Sequence, residues 1–404
     1  MRIAVVSEGF HPEVSGVTIA VARHIIGFAA RGHELLLLHP RYPAETLGLF
    51  HASPAPELPC PRVAFASDPL VPARPETRVP TRQGAEELAS ALTRFRPAAV
   101  FYHNPDRLVP DLARPWRPRR VAGLTAALQT GAVAVPIIHT LMPLYVERSG
   151  PWIWRTAPAA ALARRIWCSV YNDNFAFAVT VDKAARDYVQ SAGIKIPVLA
   201  GPWNGTDTTM FRPRERVRVA GAPLRIVWIG RAVLEKNTRL LAPLVHALRA
   251  GGLRFELVIV GDGPLLPELR AALGQQGDVV LRGWRTPAQI AEELAAADLY
   301  LSLSDTESFS LTAEEALASG VPVIAPEVIG FKRLAGQGLG WLFPGAWLTP
   351  TGMRSLAAAI LREATAPQLA DWSTRARAQA AGRSWDVALA SLAAALSERT
   401  GLAF

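Results

Sequence analysis

Short uninterrupted apolar runs recur along the chain, and each ends in a loop carrying glycine before apolar residues return every three or four positions. Ile3 to Val6 is the first run. It leads through Glu8 to Gly16 into a predicted helix near Val17 to Ala30, and Arg31-Gly32-His33 then turns the chain into a strand over Glu34 to Leu38. Runs of this length suit strands buried on both faces, and the longer period suits helices that cover them. The second half repeats the scheme. Leu224 to Ile229 ends in Gly230-Arg231, a helix is expected from about Thr238 to Ala250, and the next strand spans Phe255 to Val260. The two halves share this β-loop-α-β architecture without being sequence repeats. Right-handed crossovers then imply an α/β protein with two doubly wound, Rossmann-like sheets facing a central cleft, each presenting loops at the carboxyl ends of its strands.

A chain of 404 residues exceeds what one core usually fills, which also argues for two domains. The join falls between Trp203 and Leu224, where Asn204-Gly205 marks a turn and prolines interrupt a polar stretch. The expected organisation is 1–205, 206–380 and a last segment, 381–404, whose Ser384-Trp385 to Leu396 has helical period. Pro54 to Pro80 has little periodicity and reads as a long loop or insertion. Leu124 to Val146 lacks Asp, Glu, Lys and Arg, but Gly131, Pro136 and Pro143 break it; a helix ending near Gly131 and a strand over Ala134 to His139 account for it better than a membrane span.

Half the residues are hydrophobic and 19% are charged, as in a folded protein. Two cysteines, Cys60 and Cys168, make no disulfide framework, and no Cys/His spacing suits zinc. Both facts point to a reducing, cytoplasmic setting without structural metal. The formal charge of +9 admits nucleic acid, an anionic membrane surface or phosphorylated substrates as partners. No nucleic-acid-binding motif accompanies it, so nucleic acid is not expected.

The richest stretch is Asp305 to Gly320, which sets Glu307 and Glu315 eight positions apart across a strand-to-helix junction. Leu299 to Leu303 reads as the strand, and Leu311 to Ala318 as the helix. The amides of Phe309, Ser310 and Leu311 open that helix, where unpaired N–H groups and the positive dipole end favour a diphosphate. A carboxylate on each side accepts hydrogen bonds from sugar and ribose hydroxyls. Glu314, about 100° round the helix from Glu315, is expected in solvent. Arg231 and Lys236, on a loop after a strand end, are spaced to converge on one phosphate group, Arg as a fork and Lys as a point charge. Asp-x-Asp, a carboxylate pair that can hold a divalent ion, is absent from the chain, so stabilisation of phosphate charge is assigned to these cations and the helix, with no metal or other cofactor required.

In ordered combination, Phe10 to Val17 with Gly32-His33, His139-Thr140, Asn204 to Pro213, Gly230-Arg231 with Glu235-Lys236, and Glu307 to Gly320 resemble the retaining, nucleotide-sugar-dependent family 4 glycosyltransferases of the GT-B fold. The resemblance implies transfer of a hexose from a UDP- or GDP-sugar to a hydroxyl acceptor. It places acceptor and part of the donor sugar on the first domain, the nucleotide on the second, and has the last helix cross back. His139, Arg231, Lys236 and Glu307 would serve the chemistry. Gly16, Gly230, Arg282, Gly283, Phe309, Ser310, Leu311 and Glu315 would hold the donor, with Glu315 on the ribose. The leaving phosphate itself would take the acceptor's proton. His103 and Asn104, at another strand end, are candidates for the acceptor side.

Ser15, Asn237 and Ser310 stand where the family commonly has glycine, and Asp182 where it commonly has serine, which bears on the acceptor more than on the reaction. Trp152, Trp154 and Trp167 with Arg155, Arg164 and Arg165 suit a membrane interface as well as they suit a packed helix, so a lipid acceptor and peripheral attachment to the cytoplasmic membrane face are expected possibilities. A soluble sugar, sugar phosphate or metabolite is the alternative acceptor, and a non-catalytic nucleotide-sugar-binding protein the alternative class.

Overall fold

The computed structural model describes residues 1–47, 56–71, 74–110, 120–149, 156–214, 221–273 and 277–404. The chain divides into two compact units: Met1–Asn204 with Ala388–Phe404, and Gly205–Val387.

In the first unit the strands are β1 (Arg2–Ser7), β2 (Glu34–Pro40), β3 (Arg62–Phe65), β4 (Ser67–Val71), β5 (Arg74–Pro80), β6 (Ala99–His103), β7 (Val133–Ile138), β8 (Ala178–Thr180) and β9 (Val198–Ala200). Seven of them form a parallel sheet in the order β3-β2-β1-β6-β7-β8-β9. Ile3 to Val6 are wholly buried, which is why the central strand reads as an unbroken apolar run. The order reverses direction between β1 and β6, so the loops after these strands part and leave a crevice at their carboxyl ends. Helix Gly16–Ala30 follows β1. Ser15 caps it, accepting from the Thr18 amide while Thr18 Oγ1 accepts from the Ser15 amide. A serine here therefore has a helix to start, where glycine would start none so firmly. The last helix, Trp385–Thr400, and its tail close this unit: Leu389 packs against Gly27, and the Phe404 ring lies 5.7 Å from that of Phe101.

The expectation of a loop over Pro54 to Pro80 is corrected where that stretch is described. β3 extends the parallel sheet beside β2, and β4 and β5 pair as an antiparallel hairpin. Prolines conceal such strands from a periodicity reading, yet Pro69 and Pro80 sit in a two-stranded hairpin that needs few ladder donors. Leu124–Gln129 is a helix and β7 follows it. Among the described residues no helix is long and apolar enough to cross a membrane.

In the second unit β10 (Leu224–Ile229), β11 (Phe255–Val260), β12 (Val279–Gly283), β13 (Leu299–Leu301), β14 (Val323–Pro326) and β15 (Gly340–Phe343) form a parallel sheet in the order β12-β11-β10-β13-β14-β15. Alternate residues of each strand enter different cores. Leu224, Ile226 and Trp228 join one with Leu257, Leu301 and Leu356, while Val227 joins the other with Val258, Tyr300 and Ala316. Both faces are covered, so this sheet too reads as continuous apolar runs. Its order reverses between β10 and β13. Residues 205–214 belong to this unit: Thr206 bridges Ser384, and Phe211 is buried in the second core. Residues 215–220 of the expected linker lie outside the described residues.

Candidate functional site

In the second unit the loops after β10 and β13 meet at the reversal of strand order. Gly230 ends β10, and its carbonyl would stand 1.9 Å from a Cβ on Gly261, so only glycine permits the Val260-Gly261-Asp262-Gly263 turn to lie against it. Arg231 follows and is exposed. The short turn Leu234–Lys236 then carries Lys236, and Asn237 closes it at φ 50° with its side-chain amide donating to the Leu303 carbonyl at 2.9 Å. Asparagine tolerates this left-handed conformation, which explains how it stands where glycine is common. Ser310 does the same at φ 64°, one residue before helix Leu311–Ala318.

Lys236 Nζ pairs directly with Glu307 Oε1. Burial alone would push the Glu307 carboxyl up, but Lys236 and a hydrogen bond from Ser304 outweigh it, and the group is held below the usual carboxylate range. The Glu307 carbonyl accepts from the Gly330 amide at 2.9 Å. Phe309 is buried beneath the guanidinium of Arg333, whose Cζ lies 4.0 Å from the ring centroid. Glu315 is half-buried on the same helix. Gly283 accepts from the Gly261 amide at 2.8 Å, and Arg282 is paired with Glu293 at 2.8 Å, so its side chain is already engaged.

The expectation for Glu314 is corrected. It is 3% exposed, with Arg333 Nε donating to Oε1 at 3.0 Å and Arg383 to Oε2. The helix turns Glu314, rather than Glu315, towards the cations brought in by 330–333 and 380–383, which no local pattern displays.

In the first unit a buried polar cluster sits at the ends of β1, β6 and β7. His103 and Asn104 are wholly buried, and His139 is 6% exposed. His103 Nδ1 lies 2.8 Å from His139 Nε2. Asn104 donates to Glu8 Oε1 at 2.6 Å and to Thr140 Oγ1 at 3.0 Å, and accepts from the backbone amides of His139 and Thr140. Arg107 Nε stands 2.9 Å from Glu8 Oε2. Gly16, at the start of its helix, is exposed. Sequence reasoning missed Glu8, Arg107 and His24. A polar residue amid the buried face of Val21, Ile25 and Phe28 was the available signal for His24, whose ring centroid is 5.2 Å from that of His103.

Burial sets the charge of this cluster. It pushes Glu8 up to about 7, aided by Asp106 and Glu13 and opposed by Arg107 and Asn104. It brings His24 down to about 4 against a hydrogen bond with the Trp203 backbone, and His139 down to about 3 with help from His24; His103 is well below the ordinary value for the same reasons. All three imidazoles are therefore neutral near pH 7.

Asp182, the residue in place of the expected serine, caps helix Lys183–Ala192 by accepting from the Ala185 amide at 2.7 Å. Either residue type can do this. Trp167 is buried against Tyr171, while Leu162, Arg164 and Arg165 of the same helix are exposed. Trp167 is thus core and does not face a membrane. Residues 151–155, with the other two tryptophans of that stretch or close to it, lie outside the described residues.

The profile of the family described as Glycosyl transferases group 1 matches residues 223–365, which hold the whole lysine-glutamate site. A GDP-mannose-dependent alpha-mannosyltransferase of Mycolicibacterium smegmatis is 29% identical over 83% of this chain and 82% of its own, and one of Corynebacterium glutamicum is 27% identical over 85% and 76%. Over most of its length the chain is similar to family 4-like glycosyltransferases. Its fold is GT-B: a sucrose-phosphate synthase of Thermosynechococcus elongatus superposes with a TM-score of 0.73 at 18% identity, covering 99% of both chains. Anabaena HepE in complex with UDP superposes at 0.67 and 16% identity, covering 98% of this glycosyltransferase and 100% of HepE.

Proposed function

We propose that this glycosyltransferase moves mannose from GDP-mannose to a hydroxyl acceptor, with retention of anomeric configuration and without a required metal ion. The observation that carries the reading is the Lys236–Glu307 pair at the strand reversal of the second unit, beside Gly230-Arg231 and the start of helix Leu311–Ala318. As the bond from anomeric carbon to phosphate breaks, charge grows on the diphosphate. Lys236, steadied by Glu307, with Arg231 and the amides of Phe309 to Leu311, stabilises that charge more than it stabilises the bound donor. The acceptor oxygen bonds to the anomeric carbon on the face the phosphate leaves, and its proton passes to a phosphate oxygen. The neutral, buried His139 suits a hydrogen-bonding role at the donor sugar and does not suit an acid. GDP-mannose is favoured over UDP-sugars by the two mannosyltransferases that resemble this chain over most of its length.

In this reading residues 206–380 take the nucleotide, with Glu315 on the ribose and Gly283 by the base, while 1–205 take the acceptor and Gly16 approaches the diphosphate. The acceptor is a lipid hydroxyl at an anionic membrane surface, supported by the exposed Leu162, Arg164 and Arg165. Equal sedimentation with and without anionic liposomes at low salt would remove that part alone.

The test is thermal stabilisation by GDP, UDP, ADP, dTDP and GDP-mannose with and without chelator, followed by turnover of the Lys236→Ala variant and the anomeric configuration of the product. Stabilisation by the guanine series that survives chelator, and turnover about 10²- to 10³-fold lower in the variant with little change in melting, are expected. Unchanged turnover would refute the role of Lys236, and stabilisation without cleavage in any acceptor would make the protein a binder only.

A further inference from the structure

We infer that His103 and Asn104, consecutive buried residues at the end of β6, are positioning residues that set the ring and the backbone of the His139-Thr140 loop. The inference rests on the proposed place of His139 beside the donor sugar. Asn104 holds φ 50°, a left-handed conformation that asparagine tolerates better than most residues. From there a single amide group meets four partners. Its oxygen accepts from the amides of His139 at 2.8 Å and Thr140 at 3.1 Å, and its nitrogen donates to the Glu8 carboxylate and the Thr140 hydroxyl. The orientation of that amide is forced. Turned over, it would aim two N–H donors at two backbone N–H groups and its oxygen at a carboxylate.

His103 acts on the ring. One proton lies between His103 Nδ1 and His139 Nε2, and the opposite nitrogen of His103, Nε2, is buried without a hydrogen-bond partner among the described residues. A buried N–H lacking an acceptor is a rarer and costlier defect than an unfilled lone pair. The proton therefore sits on His103 Nδ1 and is donated to His139 Nε2. His139 then carries its own proton on Nδ1. With one nitrogen occupied and the other protonated it is a hydrogen-bond donor and not a proton acceptor, which agrees with a reaction in which the leaving phosphate takes the proton.

Four variants test this against the reading beneath it: His139→Ala, Asn104→Ala, His103→Leu and His103→Asn, the last placing an amide nitrogen near the former Nδ1. With GDP-mannose as donor, the first three should lower kcat about tenfold or more while KM for donor changes by less than about threefold, and His103→Asn should recover most of the loss. Full kcat in Asn104→Ala and His103→Leu beside an impaired His139→Ala would overturn the inference. Equal losses in His103→Leu and His103→Asn would reduce His103 to packing, which also overturns it. Full activity of His139→Ala would instead sink the underlying site. Should the leucine variant not fold, nitrogen NMR of the imidazoles in the unaltered protein decides: a protonated Nδ1 on His139 is expected, and a protonated Nε2 there contradicts the assignment.

Discussion

Replacing Glu314 with alanine should cost the second unit more than replacing either of its partners. Glu314 has side-chain exposure of 4%, and its guanidinium partners on Arg333 and Arg383 have 17% and 13%. Burial alone would raise its carboxyl, but the two cations more than reverse that and hold it below the usual range. Glu314→Ala leaves two mostly buried cations facing an empty site, which is the situation that costs roughly 3 to 5 kcal/mol. Arg383→Ala leaves Glu314 still paired with Arg333, so the loss is that of one charged hydrogen bond, about 1.5 to 3 kcal/mol. The assay is urea unfolding followed by tryptophan fluorescence, since Trp228 and Trp372 lie in a core of this unit. A Glu314→Ala cost below about 1 kcal/mol, or one smaller than that of Arg383→Ala, would refute the buried-triad argument. GDP-mannose should also stabilise the Glu314 variant less than the unaltered protein, because Phe309 rests under Arg333 and the helix start follows it.

Two further outcomes follow from the geometry. His24 and His139 have folded values near 4 and 3 against 6.5 unfolded, so their stability is fully present above about pH 6.5 and is lost as pH falls towards those values. At pH 5 that is about 2 kcal/mol each, and His24→Phe should flatten the acid side of the urea-midpoint profile by its share, parallel profiles counting against it. Glu8 works in the opposite sense: raised from 4.5 to about 7, it gives stability that is present below about 4.5 and lost as pH rises through 7, so it opposes the histidines over this range. A Cβ on Gly330 would stand 2.6 Å from that of Glu307. Gly330→Ala should therefore displace Glu307 and with it Lys236, lowering turnover about tenfold or more, and unchanged kcat would show that Glu307 need not be held there.

Local and periodic features were legible in the chain. Apolar runs such as Leu224 to Ile229 announced buried parallel strands because both faces of such a strand are covered, and the placement of Gly230-Arg231, Lys236 and Glu307 at strand ends followed from that alone. Strands β3 to β5 escaped notice because prolines and polar residues suit an edge and a hairpin, which carry no strong period. Which polar side chains are buried, and with whom, depends on packing between segments far apart in the chain. Glu314 and Glu315 are neighbours in sequence, yet one is buried against cations from positions 333 and 383 and the other is half-buried, because helix rotation and distant segments set that choice. Likewise Glu8, His24, Asn104 and His139 come from three strand ends and a helix, 131 positions apart at the extremes (139 − 8), and their neutral or shifted states arise from the desolvation they share once the sheet has formed. Charge state belongs to the assembled environment, so the positions of His139 and Lys236 after strand ends were legible in the chain while what holds them was not.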